Sequence, residues 1–72
     1  MYMMKFSQLG SDVWSDIGDT VVDTLHEAVL ITQMRISSFF SLDGVILLHD
    51  KDDTYDVYLG DMQIGLVKIT KH

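Results

Sequence analysis

Asp12, Asp16, Asp19, Asp23 and Glu27 recur at spacings of 4, 3, 4 and 4. On a helix, at ~100° per residue, that spacing gathers five carboxylates within an arc of roughly 80°. The stripe would run about 22 Å at ~1.5 Å rise per residue, and no Lys or Arg lies between Lys5 and Arg35 to relieve it. Like-charge pairs at i,i+3 and i,i+4 cost ~0.2–0.5 kcal/mol each, and only the first turn gains from the helix dipole. Stability alone would therefore favour interspersed lysines. What such a stripe can do is present anions at steps of about 5–6 Å along a helix edge, comparable to phosphates on a nucleic-acid backbone, and compete for the basic groove of a protein partner. A solvated face that only confers solubility is the bland alternative.

Ten of the eleven acids are Asp, although Glu is the better helix former. A short Asp side chain holds its charge near the backbone and loses less entropy on docking, which suits a fixed array. A second acidic set, Asp50, Asp52, Asp53, Asp56 and Asp61, would extend the array if the fold places it beside the first. Asp52, Asp53 and Asp56 join the first five as candidate partner-binding residues, with Tyr58 as an exposed aromatic contact beside Asp56. Asp50, Asp52, Thr54 and Asp56 also stand at positions 1, 3, 5 and 7 of a calcium-loop pattern, with Asp61 at position 12. That pattern fails at Tyr55, where the sharp turn needs Gly, and at Asp61, where a bidentate Glu is the norm. No metal and no cofactor is expected.

His26, His49 and His72 lack metal-site spacing, and His26 falls near Asp23. There is no Gly-x-Ser-x-Gly elbow, phosphate loop or His-Glu-x-x-His motif. Carboxylates on an exposed edge also lack the burial that separates acid from base, so no enzyme is expected. A net charge of −6 leaves little with which to neutralise phosphates, so nucleic acid is not an expected direct partner. Zero cysteines exclude a disulfide framework, a thiolate zinc site and a cysteine nucleophile, and point to a reducing cytoplasm. The longest uncharged stretches, Ala28 to Met34 and Ile36 to Leu42, fall well short of the ~20 apolar residues of a membrane span. Neither end carries a signal-peptide or lipidation pattern, so a soluble, unprocessed chain is expected.

The elements that must position these groups follow from periodicity. Seventy-two residues make one domain spanning residues 1–72. Trp14, Ile17, Val21, Leu25 and Ala28 keep the 3-4-4-3 spacing of one helical face, with Ser11 or Asp12 as cap. Thr32, Ile36 and Phe39 continue that stripe without Gly, Pro or Asn, so the spacing predicts one helix to about residue 40. Gly18 inside it costs up to ~1 kcal/mol and implies a close backbone approach.

After Asp43-Gly44 come three strand-like runs, Val45 to His49, Thr54 to Leu59 and Met62 to Ile69. Asp50 to Asp53 is the first turn, and Gly60-Asp61 a two-residue hairpin that sets Leu59 opposite Met62, Val57 opposite Ile64 and Tyr55 opposite Leu66. The expected fold is α+β: one long N-terminal helix on a three-stranded antiparallel meander, with Tyr2 to Phe6 as a further short strand.

Apolar residues make up 47% of the chain, high for its size. That excess points to burial against a second copy or another protein, a homodimer or assembly module in which Val29, Leu30, Ile36, Phe39 and Phe40 matter and the acids only solubilise. Trp14 with Phe39 and Phe40 belongs to the core or to such an interface. In composition, small and acidic without thiols or an enzyme motif, the chain resembles phage-encoded inhibitors of host defence such as anti-restriction and anti-CRISPR proteins. That resemblance implies a non-enzymatic inhibitor acting in the host cytoplasm on a partner with a basic nucleic-acid-binding groove.

Overall fold

The computed structural model describes residues 1–72. In chain order the elements are β1 (Tyr2–Gln8), β2 (Ser15–Thr20), α1 (Leu25–Phe40), β3 (Val45–Lys51), β4 (Thr54–Leu59) and β5 (Met62–Lys71). One five-stranded sheet runs in the order β2-β1-β5-β4-β3, with every neighbouring pair antiparallel. The long helix on a three-stranded meander is thus overturned: the helix has 16 residues, and residues 15–20 form an edge strand. The N-terminal segment is a central strand, hydrogen-bonded to β2 on one side and β5 on the other.

Local chemistry explains why the helix starts late. Thr24, with extended φ and ψ, caps it: its hydroxyl oxygen accepts from the Glu27 backbone N–H at 3.2 Å and its proton goes to Glu27 Oε1 at 3.0 Å. Upstream, Gly18 takes φ +101°, closed to most side chains and incompatible with a helix. Its N–H donates to Asp16 Oδ1 at 2.8 Å. The register passes from Lys5 opposite Asp16 to Met3 opposite Asp19, so β2 carries one extra residue here, a bulge. The apparent helical stripe therefore disperses. Val21 is 84% exposed, Leu25 opens the helix, and only Ala28 of the five is in the core.

A second irregularity corrects the hairpin register. Leu59 faces Met62 across Gly60-Asp61, but the pairing then moves from Tyr58 opposite Gln63 to Val57 opposite Gly65, leaving Ile64 as the extra residue. Tyr55 consequently faces Val67 rather than Leu66, and Val57 faces Gly65 rather than Ile64. The slip turns Val67 and Ile69 into the core and leaves Leu66 on the other face.

The core lies between the sheet and the helix. Tyr2, Met4 and Phe6 from β1, Val67 and Ile69 from β5, Tyr55 and Val57 from β4, and Val45 and Leu47 from β3 meet Ala28 and Ile36 of α1. Thr32, fully buried between them, donates its hydroxyl proton to the Ala28 carbonyl at 2.7 Å. Two helix side chains nearly opposite each other around the axis reach the two edges of the sheet. Gln33 Oε1 accepts the Leu47 N–H of β3 at 3.1 Å, and Arg35 Nη1 donates to the Ile17 carbonyl of β2 at 3.5 Å. The helix is thus tied to both edges of the sheet, and the other face has no covering element.

Candidate interaction surface

The acidic residues expected on one helix are distributed by the sheet instead. In a regular strand, residues three apart point to opposite faces. The bulge at Ile17-Gly18 puts Asp16 and Asp19 on the same one, opposite Lys5 and Met3. Asp12 lies in the turn before β2 and Asp23 in the segment between β2 and α1, both exposed. Glu27 belongs to the helix cap. Only Glu27 of the five is helical, so the regular 22 Å array ( at ~1.5 Å per residue) does not form. Its members make a rim along edge strand β2 and its flanks.

The second set divides. Asp52 and Asp53 form the two-residue turn between Lys51 and Thr54, with Asp52 at φ +52° and the Asp53 carbonyl accepting the Ile69 N–H at 2.9 Å. β3 thus extends through Asp50 and Lys51, which the sequence assigns to the turn. Ile69 adjoins Thr70, which pairs with Met3, itself opposite Asp19. Asp19, Asp52 and Asp53 therefore share one end of the sheet, whereas Asp12 and Asp61 occupy turns at the other. Asp56 and Tyr58, both half-buried, lie on the uncovered face.

That uncovered face can be followed strand by strand. One row runs Ser7, Leu66, Asp56, Leu48 across β1, β5, β4 and β3, and Trp14, the residue before β2, joins this face through its contact with Lys68. The next runs Asp16, Lys5, Lys68, Thr54, Lys51 across all five strands. Three of the chain's five cations stand in this row. Lys5 and Lys68 are directly opposite, an unfavourable pairing of like charges. Lys68 relieves it by placing its ammonium 4.6 Å from the centroid of the Trp14 ring. Ile46, opposite Tyr58, and Leu48 are about half exposed on this face.

Both sheet edges are partly closed by the protein's own side chains. On β2, Arg35 covers the Ile17 carbonyl and Asp16 the Gly18 N–H; on β3, Gln33 covers the Leu47 N–H. Such caps, with a bulge, hinder addition of a foreign strand. Beside Arg35, a groove of about 400 Å³ is lined by Asp16, Ile17, Ser38 and Phe39. The apolar set expected on the helix also divides: Ile36 is in the core and Val29 half-buried, while Leu30, Phe39 and Phe40 are exposed. The Phe40 ring packs at 5.3 Å from Phe6 and 5.0 Å from Phe39.

No three His, Asp or Glu side chains converge on a point where they could hold a metal ion. His49 Nε2 lies 2.8 Å from the Asp52 carbonyl, and His72 Nε2 lies 3.2 Å from Thr70 Oγ1. Tyr55 has its phenol pushed above the usual range, first by burial and then by the charge of Asp53 and by Tyr2. No helix is long and apolar enough to cross a membrane. Lys5, Lys68, Leu66, Gln33 and Arg35 escape periodicity because their roles depend on cross-strand register. The one local signal that would have exposed the β2 edge is Thr24-x-x-Glu27, a capping box that starts a helix at Leu25. No protein-family model, curated protein or solved structure matches the chain.

Proposed function

We propose that this chain is a non-enzymatic binding protein that inhibits a nucleic-acid-handling protein by offering its acidic β2 rim to that partner's basic groove. The reading is supported above all by the bulge that turns Asp16 and Asp19 to one face, with exposed Asp12 and Asp23 on the flanks. Two carboxylates on one face, separated by one bulged step, stand roughly 7 Å apart by strand geometry, close to the interval between phosphates on one strand of nucleic acid. Asp52 and Asp53 add charge at the Asp19 end of the sheet. Asp56 and Tyr58 lie beyond the rim, on the open face.

The test is an affinity capture from bacterial lysate at low salt followed by elution at ~0.5 M salt, where screening weakens exposed charge pairs. A nucleic-acid-binding protein should elute, and added duplex DNA should displace it. The triple variant Asp16→Lys, Asp19→Lys and Asp23→Lys should lower affinity for that protein by orders of magnitude while remaining folded. Unchanged affinity would remove the acidic rim from the mechanism.

A further inference from the structure

We propose that the uncovered face of the sheet is a homodimer interface, closed by a two-fold axis running along β5. Two rows of the face are largely matched to themselves under that operation. Rotation about β5 exchanges β1 with β4 and β2 with β3, so each row meets its own reverse. In the first row Leu66 meets Leu66 of the second copy and Trp14 meets Leu48, while Ser7 is already buried within its own chain. In the second row Asp16 meets Lys51 of the second copy, twice by symmetry, and Lys5 meets Thr54. Lys68, which falls on the axis, is already turned aside onto Trp14.

Size and edges favour the same occupant. Five strands at ~4.8 Å by about five residues at ~3.4 Å give a projected area of roughly 400 Å². Side-chain relief raises this towards the ~600 Å² per partner at which specific interfaces begin. An aligned packing of two sheets keeps strand directions within about 30°, which an axis along a strand provides. The partly capped edges hinder edge-to-edge pairing and so favour face-to-face packing. Half-exposed Ile46 and Leu48, and half-buried Trp14, Tyr58 and Leu66, supply the apolar contact. The helix's outer residues Leu30 and Met34 lack any such charge match.

Sedimentation velocity from ~1 µM to ~1 mM, without any partner, tests this. The expected mass rises to twice 8.2 kDa. Leu48→Lys should raise the dissociation constant by about tenfold or more, whereas Met34→Lys should not. Asp16→Lys and Lys51→Asp should each weaken self-association, the first setting Lys against Lys and the second Asp against Asp. Mixing the two variants should restore it, because the mixed dimer regains both opposite-charge pairs. A failure to fold cannot produce that rescue. A mass of one chain at every concentration overturns the interface, as does a dimer lost on Met34→Lys but kept on Leu48→Lys. The dimer pairs Asp16 with Lys51 and so withdraws it from the acidic rim, which makes rim binding a property of the dissociated chain. Because mass is read with no other protein present, this inference and the acidic-rim reading can fail separately.

Discussion

The ring of Phe6 occupies the space left by the missing side chain of Gly65. A Cβ on Gly65 would come within 2.8 Å of two Phe6 ring atoms and 2.5 Å of the Ser7 carbonyl oxygen. The ring could rotate away, but the carbonyl belongs to the central β1 backbone. Gly65→Ala is therefore expected to destabilise the fold by about 2–3 kcal/mol, the upper part of the ~1–3 kcal/mol range for overpacking a filled core. Urea unfolding would read this as a midpoint lower by roughly 2–3 M at a slope near 1 kcal/mol/M. A midpoint unchanged within error would mean that β1 and β5 are less closely apposed than described.

Gly18 makes a second demand on glycine, through conformation as well as space. Its φ of +101° strains any L side chain, and a Cβ would lie 3.0 Å from Arg35 Nη1. Gly10, at φ +83°, has nothing within 4 Å of the same position. Gly18→Ala should thus cost about 1–2 kcal/mol from backbone strain and exceed Gly10→Ala by the cost of moving Arg35. Equal melting temperatures for the two variants would show that Arg35 gives way freely.

These glycines also mark how far the sequence could be followed. The hairpin at Gly60-Asp61 was legible because turn chemistry is local, as was the end of the helix near Phe40. β2 escapes periodicity because its bulge changes the period of a strand from two to three for one step, so Asp16 and Asp19 share a face at helix-like spacing, while the three-residue step from Trp14 to Ile17 crosses from one face of the sheet to the other. The same effect at Ile64 shifted Val67 into the core. Asp16, Asp19 and Tyr58 could be named from charge and residue type, but the surface they belong to could not. It is defined by pairings such as Lys5 with Lys68, distant in sequence and invisible to periodicity.

Gln33 closes an edge that would otherwise be open. Its amide oxygen is the acceptor for the outward Leu47 N–H of β3. Gln33→Ala should lower stability by about 1 kcal/mol, the usual net value of one hydrogen bond. It should also speed strand-to-strand aggregation at the bared edge, seen as light scattering that grows with concentration. Unaltered aggregation would assign edge protection to Lys51 and the adjacent acidic turn instead.

Tyr55 gives the fold an alkaline limit. Burial, the neighbouring charge of Asp53 and Tyr2 raise its phenol above the ordinary value of about 10. A group with a raised folded-state value holds its proton longer in the native state than in the unfolded chain. Its stabilising contribution is complete below about pH 10 and is lost as the pH climbs from there through the folded-state value. Absorbance titration near 295 nm should show one tyrosine of the three ionising late, and denaturation midpoints should fall more steeply above about pH 10 than below it. Tyr55→Phe removes the ionising group, so it should abolish the late phase and flatten that alkaline fall. If the fall persists in the variant, some other group with a raised folded-state value sets the limit.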